Sequence, residues 1–556
     1  MAHGSNIGYK AVRPQKTFNA DGNYFFGGMG GNNELKFGFG YRSVTTNSVS
    51  SYNGNQLVGV INSTADPSQN FAWVARNGVV NYGGKYVNAY LGEVFTKDRF
   101  TLNLGARFDH QTAKNLPSDA PANASFPTVV PALSYNGSSG NIIDWNDVSP
   151  RLGLNYALNE SRKTVLRASY ARYASQLSYG DVTDENPSQY GYLVYGWIDK
   201  NGDGFAQPNE INLNDFRYNT NIDPKNPGAV GTTVNKIDRN YKAKHDSEVI
   251  LGIDHELAAN FAVGAAYTWR KGTDWAFRPH IGGDCGPNPT FASCHILGPS
   301  NYILNKPVTA NGFTAFTYSP DPALVTAGGG GRLRTNRPDY STRFSGAELT
   351  LTKRLSNKWM GRVAFSYNDW VENFSGTPVG GNVRADSGNP TRTEQDPLVD
   401  GGQLAVLSGG SGKASFYTSV KWQLFATALV QLPADFDLSG ALFGRQGGPY
   451  PVSVRISGGR DGTLSALAVP QVDSNRYGSL WNLDLRLAKN IKFGGAAVTL
   501  SAEAFNVFNN NLVLSRFRWA SSSAFTSTIA GAIPGAGRIE EVISPRIVRF
   551  GARFSF

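Results

Sequence analysis

The residues best equipped for chemistry stand in one run, Asp199-Lys200-Asn201-Gly202-Asp203-Gly204-Phe205-Ala206-Gln207-Pro208-Asn209-Glu210. The run fits the calcium-loop pattern D-x-[DN]-x-[DN]-G-x5-E at every fixed position. Calcium takes about six to eight hard oxygens. Asp199, Asn201 and Asp203 offer side chains from alternate positions, Phe205 offers its carbonyl, and Gln207 acts directly or through water. Glu210 would close the shell with both carboxylate oxygens, and Gly204 permits the sharp turn. The flanks are not two amphipathic helices, so the expected role is structural: the ion stiffens a long loop. The alternative is an Asn/Asp/Gly turn with no metal.

A second constellation is Cys285 and Cys294 in GGDCGPNPTFASCH, with His295 adjoining. No second pair of ligands stands nearby, which argues against zinc. A local disulfide in an oxidising compartment is expected, with two free thiols as the alternative. The closed ring is small, so the expected stabilisation is about 2–3 kcal/mol. No catalytic residue is assigned. The histidines are His3, His110, His245, His255, His280 and His295, and neither H-E-x-x-H nor G-x-S-x-G occurs. GGGGRLR (328–334) lacks the Lys-Ser/Thr of a phosphate loop, and SGGSGKAS (408–415) carries Ala414 where that loop needs Ser or Thr. Tyr190, Tyr192, Tyr195 and Trp197 could stack on a sugar or a peptide, with packing inside the loop as the plainer use.

The elements that would carry these loops alternate with a period of two. In TLNLGARF, Leu102, Leu104, Ala106 and Phe108 face one way and Thr101, Asn103, Gly105 and Arg107 the other. ELKFGFGYR, RVAFSY and WNLDLRLAK repeat the pattern, and no segment shows a comparable helical stripe. Charged residues make up 17% of the 556, well under the soluble norm of about 25%. Mean hydropathy is −0.31. No apolar run is long enough for a membrane helix, but a barrel whose lumen and lipid faces alternate would average to such a value. The net charge of +10 is dispersed, without a dense basic run, so nucleic acid is not an expected partner.

Short turns are expected at Thr96–Arg99, Asn159–Arg162, Ala258–Asn260, Ser356–Lys358, Ala434-Asp435 and Gly494-Gly495. Long Gly-, Pro-, Asn- and Ser-rich segments lie between them, at about 116–147, 178–246, 279–339, 377–415, 456–478 and 512–543. That rhythm predicts an all-β chain: a transmembrane antiparallel β-barrel of the bacterial outer membrane, with short periplasmic turns and long extracellular loops. Residues 23–556 would form the barrel, after an extension or truncated start at 1–22. Trp269, Trp275, Trp359, Trp370, Trp422 and Trp481 lie near strand ends, as an interfacial girdle would. In PRIVRFGARFSF, Val548, Phe550, Phe554 and Phe556 share a face, as expected of a closing strand with a partner on each side. About fifteen strands are readable, whereas single-chain bacterial barrels use even numbers.

Four segments, YVNAYLGEVFTKDRFTLNLGARFDHQT, SPRLGLNYALNESRKTVLRASYARY, NLDLRLAKNIKFGGAAVTLSAEAFNVFNN and SPRIVRFGARFSF, resemble the barrel of TonB-dependent outer-membrane transporters, nearest the Oar-like group. The resemblance implies a 22-stranded barrel, an upstream plug and energy supplied through TonB. No signal, plug or TonB box is recognisable, so the chain reads as the C-terminal two-thirds of such a barrel. The implied function is ligand uptake, the ligand being an oligosaccharide or a peptide captured by extracellular loops. Implied partners are outer-membrane lipid, the barrel-assembly machinery through the C-terminal strand, and TonB through a plug. The alternatives are a surface adhesion or secretion-related barrel and a passive channel.

Overall fold

The computed structural model of the chain describes residues 7–230, 233–283, 285–297, 301–304, 308–310, 313–315, 318–321, 323–324, 331–374, 406–407, 417–450, 452–459, 462–467, 469, 473–517 and 538–556. The phosphate-loop-like segment 408–415 and most of the loop 377–415 lie outside the described residues.

All six expected turns join antiparallel strands. The hairpins are Gly78–Lys97 with Phe100–Asn115, Ile143–Ala157 with Thr164–Ala174, His245–Ala258 with Phe261–Thr273, Tyr340–Ser356 with Trp359–Phe374, Trp422–Leu432 with Phe436–Arg445, and Leu480–Phe493 with Ala496–Phe505. A seventh, Gln15–Gly28 with Gly31–Tyr52, precedes them, and Ile547–Ser555 follows. Two-residue hairpin turns of type I′ need positive φ at both central positions. Met29-Gly30 and Asn357-Lys358 meet that demand, at 54° and 73° and at 52° and 64°.

Among the described residues, the sixteen named strands of the main sheet follow chain order. Ile7–Val12 and Gln15–Gly28 both pair with Gly31–Tyr52, end to end along one edge. Pro14 interrupts this edge strand, where its missing N–H is tolerated. Sixteen strands minus that doubling leaves fifteen abreast. Residues 7–22 are therefore sheet edge rather than an extension, because their backbone is bonded along the whole neighbouring strand.

The faces are inside-out relative to a soluble sheet. Phe108 is 43% exposed and its neighbour Asp109 only 6%. Leu91, Leu104, Leu251, Leu349 and Phe365 are exposed, while Gln111, Glu248, Thr342 and Glu372 are buried. Such alternation suits lipid outside and a polar lumen inside.

The C-terminal strand has its apolar outer face, with Phe550 80% exposed, but only one of the two expected partners. Its other edge is unpaired among the described residues, and the sheet is not closed in this structure. With fifteen antiparallel positions among the described residues, the first and last of these strands run the same way, so an antiparallel ladder cannot join those two.

The long segments are less loop-like than their composition suggests. Ile211–Thr220, Gly191–Trp197, Phe71–Arg76 and Leu57–Val60 form a four-stranded sheet in that order. It buries Val74, Leu193, Tyr195, Trp197 and Ile211 in a core of its own. Lys236–Ile237, Leu333–Asn336 and Ala276–Phe277 form a second, three-stranded sheet. Together they cap the long-loop end.

Candidate functional site

The acidic run leaves the cap sheet after Trp197 and re-enters it through a short helical turn at Pro208–Glu210. Asp199 accepts from Gly202 N–H at 2.8 Å and Gly204 N–H at 2.9 Å. Gly202 and Gly204 both have φ of 76°, which glycine adopts without strain. Asn201 Nδ2 donates to Asp203 Oδ2 and Gln207 Oε1 at 2.9 and 3.1 Å, and Gln207 Nε2 donates to Asp203 Oδ2 at 2.6 Å. The Phe205 N–H bond, 2.8 Å to Asp203 Oδ1, is the main cause that holds the Asp203 carboxyl below the usual carboxylate range. Asp199, Asn201, Asp203 and Gln207 thus gather in one turn.

Glu210 makes none of these side-chain contacts. It is buried and accepts from Lys200 N–H at 2.9 Å, from Gln207 N–H at 3.2 Å and from the Trp197 indole at 3.2 Å. Among the described residues, no group of three His, Cys, Asp or Glu side chains is arranged to hold a metal ion. The carboxylate expected to close a calcium shell is committed to the fold.

Cys285 and Cys294 are joined in a disulfide, packed with Ile281 and Leu333 in a small core. Nearby, Arg334 bridges Asp184 at 2.8 Å and Asp181 at 3.3 Å, and Arg278 reaches Asp184 at 2.8 Å. Burial alone would lower the pKa of Arg334, but Asp184 and Asp181 outweigh it and raise it. Burial likewise pushes the Tyr241 phenol up to about 12. Of the four loop aromatics, Tyr195 and Trp197 are core, Tyr192 stacks on Trp73 at 4.5 Å, and Tyr190 is exposed. Packing takes three of the four.

Below the cap, polar side chains line the concave wall. Arg107 donates to Asp109 at 2.8 Å and to the Tyr86 hydroxyl at 2.7 Å, and Tyr86 donates to Asp109 at 2.6 Å. Tyr90 donates to Asp21 at 2.7 Å across Gly38, where an added Cβ would lie 2.4 Å from both groups. A depression of about 760 Å³ opens here over Gly92, Gly105, Gly153 and Gly252, rimmed by Lys36, Arg107, Arg151 and Arg167. Lys36, Gly105 and Arg107 stood in the alternation, but a period-two pattern marks a polar face without saying which strands align on it.

The family model described as Outer membrane beta barrel domain matches residues 2–466. No curated protein matches the chain. Three solved structures illustrate the structural likeness. The outer membrane transporter YddB from Escherichia coli is 12% identical, with a TM-score of 0.48 over 98% of this chain and 54% of its own. The siderophore receptor PiuA from Acinetobacter baumannii is 13% identical, with a TM-score of 0.44 over 98% and 56%. The ferripyoverdine receptor of the outer membrane of Pseudomonas aeruginosa is 12% identical, with a TM-score of 0.45 over 98% and 49%. The chain spans about half the length of these proteins.

Proposed function

The chain belongs to the outer membrane beta barrel domain family, and on that premise we propose that it is the barrel of a TonB-dependent receptor, Oar-like, that takes up an oligosaccharide or peptide ligand. The observation that carries the reading is the pairing of a polar lumen wall with a cap of loops folded into sheets of their own. A passive pore needs the lumen but no such cap. In this reading the cap selects the ligand, and TonB acts through a plug to open the lumen. The C-terminal strand engages the assembly machinery. Calcium at Asp199, Asn201 and Asp203 braces the cap, with Phe205, Gln207 and Glu210 completing the shell after a local rearrangement of Glu210.

The test is uptake of labelled maltodextrins and of labelled peptides by cells producing the natural protein, with and without a protonophore. Uptake abolished by the protonophore supports the proposal. Energy-independent entry of both probes supports a channel instead. The braced cap also suits a surface adhesin, which would show calcium-dependent surface attachment and no uptake.

A further inference from the structure

One stretch of the main sheet keeps an open backbone edge inside the wall. Ile143–Ala157 pairs with Phe100–Asn115 from Ile143 to Tyr156, but with Thr164–Ala174 only from Arg151 onward. Pro150 is the first residue outside the second ladder, and with no N–H it cannot supply a ladder bond. Across the gap, Arg172, Tyr173 and Ala174 pair only with Ser247, Asp246 and His245. Among the described residues, two strand edges therefore flank the gap unpaired at the long-loop end.

A cavity of about 640 Å³ lies against this gap. Asp144, Trp145, Asn146 and Asp147 line it in succession. Consecutive strand residues point to opposite faces, so a cavity that meets all four abuts the edge of the strand and not one face. Arg172 lines it from the other lip, and the segment 239–243 with His245 closes the remainder. That segment does not take the edge. Its Arg239 N–H donates to the Pro289 carbonyl, Tyr241 N–H to the Asp238 carbonyl and Lys242 N–H to the Asn336 side chain. The Tyr241 carbonyl accepts from the Trp145 side chain, not from the strand backbone.

Unmet charge sits in the same cavity. Arg239 is committed to Glu185 at 3.0 Å, and His245 to Asp147 and Asp274. Asp144 is met by His110 at 3.6 Å and by the Asn146 amide at 3.2 Å. Among the described residues, the Arg172 and Lys242 side chains have no hydrogen bond or ion pair. Asp147 Oδ2 is buried and has no hydrogen-bond partner, a costly state for a carboxylate oxygen.

We propose that this seam binds an extended peptide by strand addition, its backbone pairing with the Ile143–Pro150 edge and its C-terminal carboxylate held by Arg172 and Lys242. The inference deepens the receptor reading above, rests on it, and selects peptide over oligosaccharide. A peptide, unlike a sugar, carries the alternating N–H and C=O groups that an open strand edge lacks. An entering N–H also satisfies Asp147 Oδ2. A carboxylate takes paired hydrogen bonds from a guanidinium and a point charge from an ammonium. The cavity falls within the range of about 300–1,000 Å³ for small-ligand sites.

The test uses the full chain in detergent micelles and a pool of pentapeptides with free C-termini, bound peptide being read by native mass spectrometry. The same pool methylated at every backbone nitrogen should not bind, because strand addition needs those N–H groups. Amidating the C-terminus should weaken binding about a hundredfold, since each of two charge-assisted bonds contributes about tenfold. R172Q/K242Q should show the same loss and be indifferent to amidation. K242Q, at an exposed side chain, should lose about tenfold, and it serves if the double variant lacks the heat-modifiable band of a folded barrel. Equal binding of the methylated pool, a preference for the free acid retained in R172Q/K242Q, no loss in K242Q, or no binding at millimolar peptide overturns the proposal. Binding in micelles needs neither TonB nor a proton gradient, so it is decided separately from uptake. Protonophore-sensitive peptide uptake that is undiminished in folded R172Q/K242Q overturns the seam site and leaves the receptor reading standing.

Discussion

His245 places its Nε2 2.7 Å from Asp147 Oδ1, and its Nδ1 2.8 Å from Asp274 Oδ2. The contact crosses a seam. Ile143–Ala157 pairs with Thr164–Ala174 only from Arg151 to Ala157, and above that the two strands part. His245, Asp147 and the 2.7 Å bond from the Trp145 indole to the Tyr241 carbonyl hold the parted end to the cap.

Removing the imidazole leaves a buried carboxylate uncompensated. His245→Ala should cost about 3 kcal/mol, in the range for breaking a buried pair. Urea unfolding in detergent measures it. A double cycle with Asp147→Asn should show strong non-additivity, and independent effects would mean that the clasp contributes nothing.

The lipid face gives a second expectation. Leu349 is 54% exposed and lies near mid-strand on the outer wall, while its neighbour Thr350 faces the lumen side. Leu349→Arg should cost about 2–4 kcal/mol, and Thr350→Arg much less. The fraction of heat-modifiable barrel in outer membranes reads the difference. Equal assembly of the two variants would contradict the assignment of faces.

Cutting the Cys285–Cys294 ring should destabilise the cap locally. Cys285→Ser should cost about 2–3 kcal/mol, because the ring is short and the sulfur is buried. Faster proteolysis near 279–297 with an unchanged barrel core would show it. Global unfolding would mean that cap and barrel are one cooperative unit.

At the acidic turn, metal has a clear readout. If the turn takes a cation, terbium luminescence excited through Trp197 should appear, and calcium should displace it. Asp203→Ala should abolish the signal. Glu210→Gln should weaken the turn with or without metal, since Glu210 already accepts from the Trp197 indole and two backbone N–H groups. No luminescence at millimolar terbium would leave a metal-free turn.

Protonation acts on the same turn. The Asp203 carboxyl is held below its ordinary value, chiefly by the Phe205 N–H. Its contribution is therefore present above the unfolded value of about 4 and is lost as pH falls through the lower folded one. Cleavage of the 198–210 segment by an acid-active protease should rise below about pH 4 in the wild type. Asp203→Asn should show a flatter profile.

Much of the fold was legible because the bilayer imposes a local rule. Each barrel strand must alternate lipid and lumen residues, so Leu102 to Phe108 or Trp481 to Leu487 disclose both their conformation and their faces without reference to a partner. The turns were equally local: Asp98, Asn260 and Gly494 carry the positive φ that hairpins need. The cap was not legible in the same way. Gly191–Trp197 becomes a strand by pairing with Phe71–Arg76, more than a hundred residues away, and no period announces that partner. The turn at Asp199–Glu210 was visible as a motif, but the commitment of Glu210 to Trp197 and the backbone was not.

By itself, then, the sequence determined an all-β barrel wall, its turns, its two faces and its acidic and cysteine-bearing loops, because those depend on neighbours along the chain. Only the tertiary structure decided the fifteen-abreast register, the folded cap and the His245 clasp. Each of those depends on the approach of distant strands. Backbone register sets such an approach, and a single strand's composition carries no record of it.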